Sequence, residues 1–477
     1  MRPTLEKWLE TETPTEKTKG VEAWLKRPLP AITHRVNESQ SDTAFVQFND
    51  SSVCPTNYED VLLISSVLRP KFDAQLVFDD LSKISRDWSL SFHKEAIEAI
   101  ELCGVTGTNG KSSVAHFLAH LIASNAKLGS AAKLGTLGLE TSQTFKESPN
   151  TTPFPLDLHP MLEQVHRDGD RILVLEASSH ALDQNRLEGL KFKTVGFTNL
   201  TQDHLDYHET MEALFAAKSK LLDLCEGTAV VNLDCEWMSK LSQFKNTLTY
   251  STLSNNADLF ANIKEKSDHG FTLEISFEGQ TRLVELPLLG MFNVSNILCA
   301  LGMALSLGDA SLDDYVDGLS NIVAPKGRLQ IVPTRAEGRV MIDYAHTPDA
   351  LASVLKTMKN HVAKGKLKLL FGCGGNRDNA KRAMMGEIAS SYADRIYLTS
   401  DNPRNENPEL IMDQIEKGIQ NKEKCVRMVS REDAIHRALS ELKADELLLL
   451  CGKGHEQTQE INGQKFRMCE EEICQTY

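Results

Sequence analysis

"IELCGVTGTNGKSSVAHFLAHLIASNA", residues 100–126, passes from an apolar strand pattern through a glycine-rich turn into a helical pattern. In such a turn the backbone N–H groups and the N-terminus of the helix point at one place and can cradle phosphate. The segment therefore predicts one βα unit of a parallel sheet with a phosphate-binding loop. An ordinary glycine-rich βα turn is the alternative interpretation.

The loop supplies the first candidate site residues. Lys111 is expected to reach the β and γ oxygens of a nucleotide, and the Ser112 hydroxyl suits Mg²⁺. Five residues separate Gly104 from Gly110, so the spacing is not the strict G-x-x-x-x-G-K-[ST] pattern. The residues predicted to bind the phosphates of the nucleotide are Gly107, Thr108, Asn109, Gly110, Lys111, Ser112 and Ser113.

Composition and charge narrow the class of protein. Of the 477 residues, 41% are hydrophobic and 25% are charged, which is typical of a globular protein. The 52 basic and 66 acidic residues leave a formal charge of −14, which argues against general binding to nucleic acid or anionic lipid. No segment has the roughly 18 consecutive apolar residues of a membrane span. The N-terminus also lacks the apolar region of a signal peptide, so we expect a cytoplasmic location.

Strand and helix patterns predict an α/β protein of three domains. Residues 1–96 combine short apolar runs with prolines and predict a small N-terminal α/β domain. Residues 97–325 alternate strands with helices, the βαβ rhythm of a parallel sheet, and predict a central P-loop-type ATPase domain. Residues 326–477 repeat that rhythm and predict a Rossmann-like domain, in which ligands bind beyond the carboxyl ends of the strands.

Charged side chains inside apolar segments are further candidates. Glu176 ends the strand run "RILVLE", where a bare carboxylate is costly unless it holds a cation. Lys218 falls within an apolar stripe of a predicted helix, whereas Lys220 does not. The alternative for Lys218 is a side chain that extends its amine to solvent. For His204, which follows a later strand, the alternative is a capping or packing histidine.

The loop and a series of later motifs resemble those of the Mur ligase family, the ATP-dependent amino-acid ligases of peptidoglycan precursors. The resemblance covers nearly all of residues 100–460. Its motifs, in chain order, are "TGTNGKS", "NTTP", "EASSHALDQNR", "FTNLTQDHLDYH", "AAKSKLL", "GMFNVSN", "GRLQ", "DYAHTPDAL", "CGGNRDNAKR", "DNPR" and "GKGHE".

The resemblance implies an enzyme that activates a carboxylate with ATP and two Mg²⁺ ions and then lets an amine attack the acyl phosphate. Glu176 and His204 would each bind one ion. Lys218 would take up CO₂ to become N6-carboxylysine, a carbamate that serves as an anionic metal ligand with Ser112. Arg328 would neutralise the transferring phosphoryl group. The other implied ATP contacts are Asn293, Asn296, Asp343 and His346, with helix capping as the alternative for the asparagines.

Two arginine-bearing loops of the last domain are expected to hold the incoming amino acid. Arg377 and Arg404 suit the distal carboxylate of meso-diaminopimelate, whereas a lysine-adding relative lacks the arginine of "DNPR". A surface arginine in a turn is the alternative for Arg404. The amino-acid contacts implied by the resemblance are Arg377, Asp401, Asn402, Arg404, Gly452 and Glu456. Those implied for the acceptor, a UDP-muramoyl dipeptide, are Asn150, Thr151, Thr152, Ser178, Gln184 and Arg186.

The N-terminal domain departs from the family pattern. Only Arg35 and Asp42 match the residues that such ligases use for the uridine diphosphate end of the acceptor. An acceptor without the nucleotide is therefore one rival hypothesis. A second is a ligase like folylpolyglutamate synthase, which would lack "DNPR" followed by "GKGHE", and a third is a non-catalytic paralogue. We expect a monomer that binds these small molecules and neither nucleic acid nor membrane.

Overall fold

The computed structural model describes residues 4–27, 31–33, 43–47, 61–66, 69, 72, 74–267, 269–308, 310–362, 365–376 and 379–477. Arg35, Asp42 and Arg377 lie outside these residues. The chain forms two compact units. The first unit is Met1–Leu259 with Cys299–Tyr315, and the second is Phe260–Leu298 with Val316–Tyr477. The domain boundaries after residues 96 and 325 stay predictions.

The first unit contains a small sheet followed by a larger one. Its strands are β1 (Glu16–Lys17), β2 (Ile32–Thr33), β3 (Thr43–Gln47), β4 (Val61–Ser65), β5 (Gln75–Val77), β6 (Glu101–Thr106), β7 (Ala131–Gly135), β8 (Gly138–Glu140), β9 (Phe145–Lys146), β10 (Ile172–Glu176), β11 (Phe192–Phe197), β12 (Cys225–Asn232) and β13 (Thr247–Ser251). Its helices are α1 (Leu5–Leu9), α2 (Leu81–Glu98), α3 (Lys111–Ser124), α4 (Pro155–Arg167), α5 (Ser179–Asp183), α6 (Leu205–His208), α7 (Met211–Asp223) and α8 (Glu236–Ser239).

The small sheet has the order β1-β5-β4-β3-β2, and all its neighbouring strands are parallel except β1 and β5. The central strand β4 is buried along its whole length, as its unbroken run "VLLIS" requires of a strand covered on both faces. Trp8 of α1 and Trp88 of α2 pack into this core with ring centroids 4.6 Å apart. The N-terminal region is therefore α/β, as predicted.

The larger sheet of the first unit runs in the order β13-β12-β11-β6-β10-β7-β8-β9. Strands β13 to β7 in this order are parallel, and β8 and β9 are antiparallel at the edge. Strand β6 lies between β10 and β11, so the glycine loop after β6 lies between the carboxyl ends of both neighbours. The structure confirms the predicted parallel sheet, and ligands of such sheets bind at this edge.

The second unit begins with an antiparallel segment and continues into a mostly parallel sheet. Its strands are β14 (Leu259–Ser267), β15 (Gly270–Phe277), β16 (Gln280–Leu286), β17 (Gln330–Val332), β18 (Arg339–Asp343), β19 (Leu367–Phe371), β20 (Arg395–Leu398), β21 (Cys425–Arg427), β22 (Leu447–Cys451), β23 (Thr458–Ile461) and β24 (Gln464–Arg467). Its helices are α10 (Val316–Ser320), α11 (Pro348–His361), α12 (Ala380–Tyr392), α13 (Pro408–Glu416), α14 (Arg431–Ser440) and α15 (Glu470–Thr476), while α9 (Met291–Leu305) has residues in both units.

The six-stranded sheet of the second unit has the order β17-β18-β22-β19-β20-β21, with only β17 antiparallel to its neighbour. Side chains alternate between two cores across this sheet. Leu369 and Phe371 pack with α11, α12 and α13, whereas Leu370 packs with α14 on the other face. This doubly covered parallel sheet confirms the predicted Rossmann-like architecture.

A buried histidine in α4 makes the first unit sensitive to acid. His159 is fully buried, and neither ring nitrogen has a hydrogen-bond partner among the described residues. Burial lowers the pKa of His159 from 6.5 to about 3. The folded protein therefore keeps this imidazole neutral at pH values where the unfolded chain takes up a proton.

We expect the free energy of unfolding to fall as the pH drops from about 6.5 towards 3, with a contribution from His159 of about 2 kcal/mol at pH 5. His159→Leu should remove this part of the pH dependence, which urea unfolding at several pH values would measure. His166→Leu, at an exposed position of the same helix, is the control. Equal pH slopes for wild type and His159→Leu would contradict the prediction.

Candidate active site

The phosphate-binding loop is fixed by the residues that follow β11. The N–H of Asn109 donates to Asn199 Oδ1 at 2.9 Å, and Thr198 Oγ1 donates to the Asn109 carbonyl at 2.6 Å. Gly110 caps α3 with a φ of 90°, a left-handed conformation that favours glycine. Ser112 and Ser113 lie in the first turn of α3 and are buried. The structure thus has the strand, loop and helix expected of a phosphate site.

Two lysines converge on one carbonyl oxygen of this loop. Lys111 Nζ donates to the Gly107 and Thr108 carbonyls at 2.9 and 3.0 Å, and Lys218 Nζ donates to the same Gly107 carbonyl at 2.8 Å. Lys218 lies on the buried face of α7 with 3% of its surface exposed, so its amine does not extend to solvent. Burial, and then the charge of Lys111, hold the pKa of Lys218 well below its usual 10.5. Loss of the proton therefore costs less here than it does for a lysine in water.

Glu176 ends β10 and is 3% exposed. Its carboxylate accepts hydrogen bonds from the N–H of Thr136 at 3.0 Å and from Thr136 Oγ1 at 3.3 Å. It lies directly against Gly135 at the end of β7, where an added Cβ would come within 2.0 Å of Glu176 Oε1. Both donors are uncharged, so the negative charge of this buried carboxylate remains available to a cation.

His204 is the N-cap residue of α6 and is half exposed. Its side chain makes no capping hydrogen bond and is 51% exposed, so it neither caps the helix nor packs in a core. Its backbone is left-handed, with a φ of 50°, and its ring centroid lies 4.7 Å from that of His180. His180 also packs against Tyr207, so the loop presents an aromatic cluster that the sequence reasoning did not identify.

The predicted acceptor residues form one hydrogen-bonded group beside Glu176. Thr152 Oγ1 donates to the Glu176 carbonyl at 2.7 Å and accepts from the N–H of Ser178 at 3.0 Å. Arg186 Nη1 donates to the Thr152 carbonyl at 2.8 Å, and Gln184 Oε1 accepts from Arg186 Nε and Nη2 at 3.0 and 2.7 Å. Burial lowers the pKa of Arg186, whose guanidinium lies 3.7 Å from the Phe154 ring centroid.

Two further acceptor residues lie next to this group in sequence. Thr151 Oγ1 is 3.1 Å from Thr136 Oγ1, so it contacts the residue that holds Glu176. Asn150 is exposed, and its carbonyl accepts from Ser148 Oγ at 2.6 Å. The structure therefore joins Thr151 to the Glu176 loop and leaves Asn150 at the surface.

In the second unit, Arg328 and Asp343 lie close to Tyr344. The Arg328 guanidinium carbon lies 4.7 Å from the Tyr344 ring centroid, and Arg328 Nε is buried without a partner in the part of the chain that the structure describes. Asp343 accepts from the N–H groups of Leu329 and Ala345, both at 2.8 Å, and burial raises its pKa. The orphaned donor of Arg328 suits an incoming anion.

The other predicted ATP contacts of the second unit form hydrogen bonds with neighbouring residues through some of their polar atoms. Asn293 Nδ2 donates to the Leu289 carbonyl at 2.8 Å, and Asn296 Nδ2 donates to Asn293 Oδ1 at 3.3 Å. His346 Nδ1 lies 2.9 Å from the Tyr344 carbonyl. The asparagines are buried in α9, so a role in helix structure and a role in adenine binding are both compatible with the geometry.

The predicted amino-acid residues meet at the carboxyl ends of β20 and β22. Asn402 Nδ2 donates to Glu456 Oε2 at 2.8 Å. Arg404 has a left-handed φ of 51°, donates through Nη1 to the Gly375 carbonyl at 2.8 Å, and pairs through Nε with Glu460 at 3.3 Å. Arg404 is thus held by the Gly375 loop and by strand β23 and is not a free surface arginine.

Asp401 and Gly452 lie against each other at the same edge. A Cβ added to Gly452 would come within 2.8 Å of Asp401 Oδ2. This oxygen is buried and has no hydrogen-bond partner within the described residues, whereas Asp401 Oδ1 accepts from the N–H of Asn402 at 2.7 Å. The orphaned oxygen is a hydrogen-bond acceptor that a ligand could satisfy.

Comparison with known proteins identifies the family. The model of the Mur ligase middle domain matches residues 105–304, and that of the Mur ligase glutamate ligase domain matches residues 327–454. A Lawsonia intracellularis protein named UDP-N-acetylmuramoyl-L-alanyl-D-glutamate–2,6-diaminopimelate ligase is 38% identical over 394 residues, 80% of each chain. This chain belongs to the Mur ligase family.

Other Mur ligases are similar to this chain over almost its whole length. A Fusobacterium nucleatum ligase of the same name is 33% identical over 463 residues, 94% of each chain. A solved structure of a ligase with that name has a TM-score of 0.68 and 30% identity, and the match covers 99% of this chain and 98% of the other. As a Mur ligase, the chain is an ATP-dependent enzyme that forms amide bonds.

Several residues that build this Mur ligase site were not found by sequence reasoning. Arg382 is fully buried and forms a two-pronged pair with Glu406, at 2.9 and 3.0 Å, which ties α12 to the loop after "DNPR". Arg431 and Glu470 form a fully buried ion pair at 2.7 Å, and Arg431 also donates to the Cys451 carbonyl at 2.8 Å. These pairs join residues far apart in sequence, so no local motif indicates them.

Neither a cluster of three or more metal-binding side chains nor a membrane-spanning helix occurs in the described part of this Mur ligase. Throughout the described ranges, no group of three or more His, Cys, Asp or Glu side chains is arranged to hold a metal ion. Among the helices of the same residues, none is long and apolar enough to cross a membrane.

Proposed function

We propose that this Mur ligase adds meso-diaminopimelate to UDP-N-acetylmuramoyl-L-alanyl-D-glutamate, with conversion of ATP to ADP and phosphate, in peptidoglycan precursor synthesis. The names of its relatives support this reaction. The observation that carries the proposal is the position of Arg404 in one hydrogen-bonded region with Asn402 and Glu456. An amino acid with a second charged centre needs both a fixed cation and a fixed anion, and this region supplies both.

The proposed reaction has two steps. The acceptor carboxylate attacks the γ-phosphorus of ATP, ADP leaves and an acyl phosphate forms. The amine nitrogen then attacks the acyl carbon, the bond from that carbon to the phosphate oxygen breaks, and the nitrogen loses its extra proton. Lys111 would exchange its bonds to the loop carbonyls for phosphate oxygens, and Arg328 would contribute positive charge.

Of the residues proposed for two Mg²⁺ ions, Glu176, Ser112 and the carbamate on Lys218 offer the oxygen atoms that this ion prefers, and His204 offers a nitrogen. Mg²⁺ is usually bound by one or two carboxylates together with waters and substrate phosphates, so a cluster of three protein ligands is not required. Glu176, the Ser112 hydroxyl, His204 and a carbamate on Lys218 would hold it. When bound, it would neutralise charge on the phosphates. Loss of phosphate release on removal of Mg²⁺ would support this assignment.

The proposal also covers the acceptor site, the cellular location and the oligomeric state of the enzyme. Thr152, Ser178, Gln184 and Arg186 would hold the muramoyl peptide, while Arg35 and Asp42, the candidates for its nucleotide end, lie outside the described residues. Because ATP and a nucleotide-linked acceptor are cytoplasmic metabolites, we propose a cytoplasmic location. The monomeric state is a prediction that light scattering would check.

Phosphate release with ATP and Mg²⁺ across a matrix of acceptors and amino acids tests the proposal. We expect release only with the UDP-linked dipeptide together with meso-diaminopimelate. Equal activity with a dipeptide that lacks the nucleotide would favour the acceptor without UDP. No turnover with any pair would overturn the proposed reaction.

Arg404→Met should raise the KM for meso-diaminopimelate and leave the KM for ATP nearly unchanged. Loss of one charge-assisted pair with the distal carboxylate is expected to cost about 2 kcal/mol, roughly a 30-fold loss in kcat/KM. Arg437→Met, at an exposed site of α14, is the matched control. Efficient use of lysine by the wild-type enzyme would contradict the role given to Arg404, because lysine has no distal carboxylate.

A further inference from the structure

Lys453, in the motif "GKGHE", is a fully buried lysine at the edge of the proposed amino-acid site. Its Nζ donates to Glu456 Oε2 at 2.8 Å and to Asn402 Oδ1 at 3.1 Å. These two acceptors belong to residues proposed to bind the incoming amino acid. Lys453 itself has no exposed surface, so it acts on a ligand only through its neighbours.

The ammonium of Lys453 determines which way the Asn402 amide faces. An ammonium group only donates, so the amide must turn its oxygen towards it. Asn402 Oδ1 accepts from Lys453 and from the N–H of Glu460 at 2.9 Å, while Asn402 Nδ2 donates to Glu456 Oε2 at 2.8 Å. One N–H of this amide is then left for a substrate carboxylate.

The same contacts fix the Glu456 carboxylate. Its Oε2 receives hydrogen bonds from both Lys453 and Asn402, which leaves Oε1 for a ligand. The Glu456 side chain is 31% exposed, so without Lys453 it could turn into water. Only the Lys453 end of this ion pair is fully buried, and such a pair contributes little net stability, so we expect its main effect to be on orientation.

We propose that Lys453 is a positioning residue that lets the proposed diaminopimelate site recognise the distal amine of its substrate. It holds Glu456 where Oε1 accepts from that ammonium, and it holds Asn402 where its amide faces the adjoining carboxylate. This inference rests on the proposed function and adds the residue that sets the specificity of the site.

The test compares meso-diaminopimelate with 2-aminopimelate, which lacks only the distal amine. We expect wild type to prefer meso-diaminopimelate and Lys453→Met to lose most of that preference. The KM for meso-diaminopimelate should rise roughly 10- to 100-fold, as expected from misplacement of a binding group. The KM for ATP and the kcat at saturation should change little.

Lys368→Met is the matched control. Lys368 is also buried and pairs with Glu446 at 2.6 Å, but it lies at the amino end of β19, away from the substrate loops. Its loss should affect stability and leave the preference between the two amino acids intact. A double variant, Lys453→Met with Glu456→Gln, should keep as much preference for meso-diaminopimelate over 2-aminopimelate as the single variant with the weaker preference. No further loss is expected, because Lys453 acts through Glu456.

The outcomes separate the two proposals. Full preference for meso-diaminopimelate in Lys453→Met, or an equal loss of preference in Lys368→Met, would overturn the positioning role. If Lys453→Met does not fold, Lys453→Gln, which keeps a donor without the charge, must lose the preference.

If wild type rejects meso-diaminopimelate, the proposed function fails. The preference is then measured between the amino acid that the substrate matrix identifies and an analogue of it without the side-chain amine. An unchanged preference in Lys453→Met would again overturn the positioning role of Lys453.

Discussion

Lys218→Ala is expected to yield a folded protein with at least about 1,000-fold lower kcat/KM, because it removes the proposed carbamate, an anionic ligand for the charged centre of the reaction. The surroundings of this lysine suit the proposed uptake of CO₂. Its amine is buried beside Lys111, on the Gly107 carbonyl, and its pKa lies well below the usual value. A neutral amine is the nucleophile that carbamate formation requires.

Short carboxylates such as formate and acetate should partly restore the activity of Lys218→Ala, because they can occupy the space of the carbamate. Lys220→Ala is the matched control, since Lys220 lies two residues along α7 but on its exposed side, where it pairs with Asp183 at 3.3 Å. Carbon NMR with labelled CO₂ would detect the adduct on the wild-type protein. Failure of rescue, together with no adduct, would assign Lys218 to packing.

Loss of the Glu176 carboxylate should be equally severe. Glu176→Gln keeps the shape of the side chain and removes its charge, and we expect about a 1,000-fold loss of phosphate release that added Mg²⁺ does not reverse. Binding of Mg²⁺, measured by calorimetry in the presence of nucleotide, should weaken in the same variant. Near-normal turnover in the folded variant would contradict a role for Glu176 in metal binding.

Gly135→Ala tests independently whether the position of the Glu176 carboxylate matters. The new methyl group would come within 2.0 Å of Glu176 Oε1, so the carboxylate must leave its position although its charge is retained. The activity should therefore fall without any change in the ionisable residues of the site. Gly308→Ala is the control, because the added methyl group there would meet only Leu128, at 3.9 Å. Full activity of Gly135→Ala would show that the position of Glu176 is not critical.

Local patterns predicted much of this site because the relevant residues follow one another along the chain. The run from β6 through Lys111 into α3 carries the strand, loop and helix in sequence order. Lys218 was detectable because a helix places it on the face formed by its apolar neighbours, and the structure buries it there. The α/β architecture likewise followed from the alternation of strand and helix patterns.

The hairpin β23–β24 was missed although the sequence carries its signal. Asn462 and Gly463 both have positive φ, 51° and 76°, as the type I′ turn of a two-residue hairpin requires. The "INGQ" segment could therefore have been predicted as a turn. The pairing of Glu460 in this hairpin with Arg404 could not have been predicted, because that contact depends on how the hairpin meets a loop that is distant in sequence.

The predicted roles of the substrate residues also omitted the groups that hold them. Asn402 and Glu456 were expected to face a ligand, yet each also bonds to Lys453. A motif identifies which residues are polar and where they recur, but it does not indicate how their hydrogen bonds are divided between ligand and protein. That division depends on packing across β20 and β22, which no single segment contains.

The buried pair between Arg431 and Glu470 has a practical consequence for work with this protein. Glu470 opens helix α15, and a protein truncated at Met468 would lose both the carboxylate that pairs with Arg431 and the Cys474 side chain that packs in the core with α14. Removal of one partner of a buried ion pair typically costs about 3 to 5 kcal/mol. Arg431 also donates to the Cys451 carbonyl, one residue before Gly452, so we expect trimming of this helix for crystallisation or tagging to disturb the proposed amino-acid site, far from the cut.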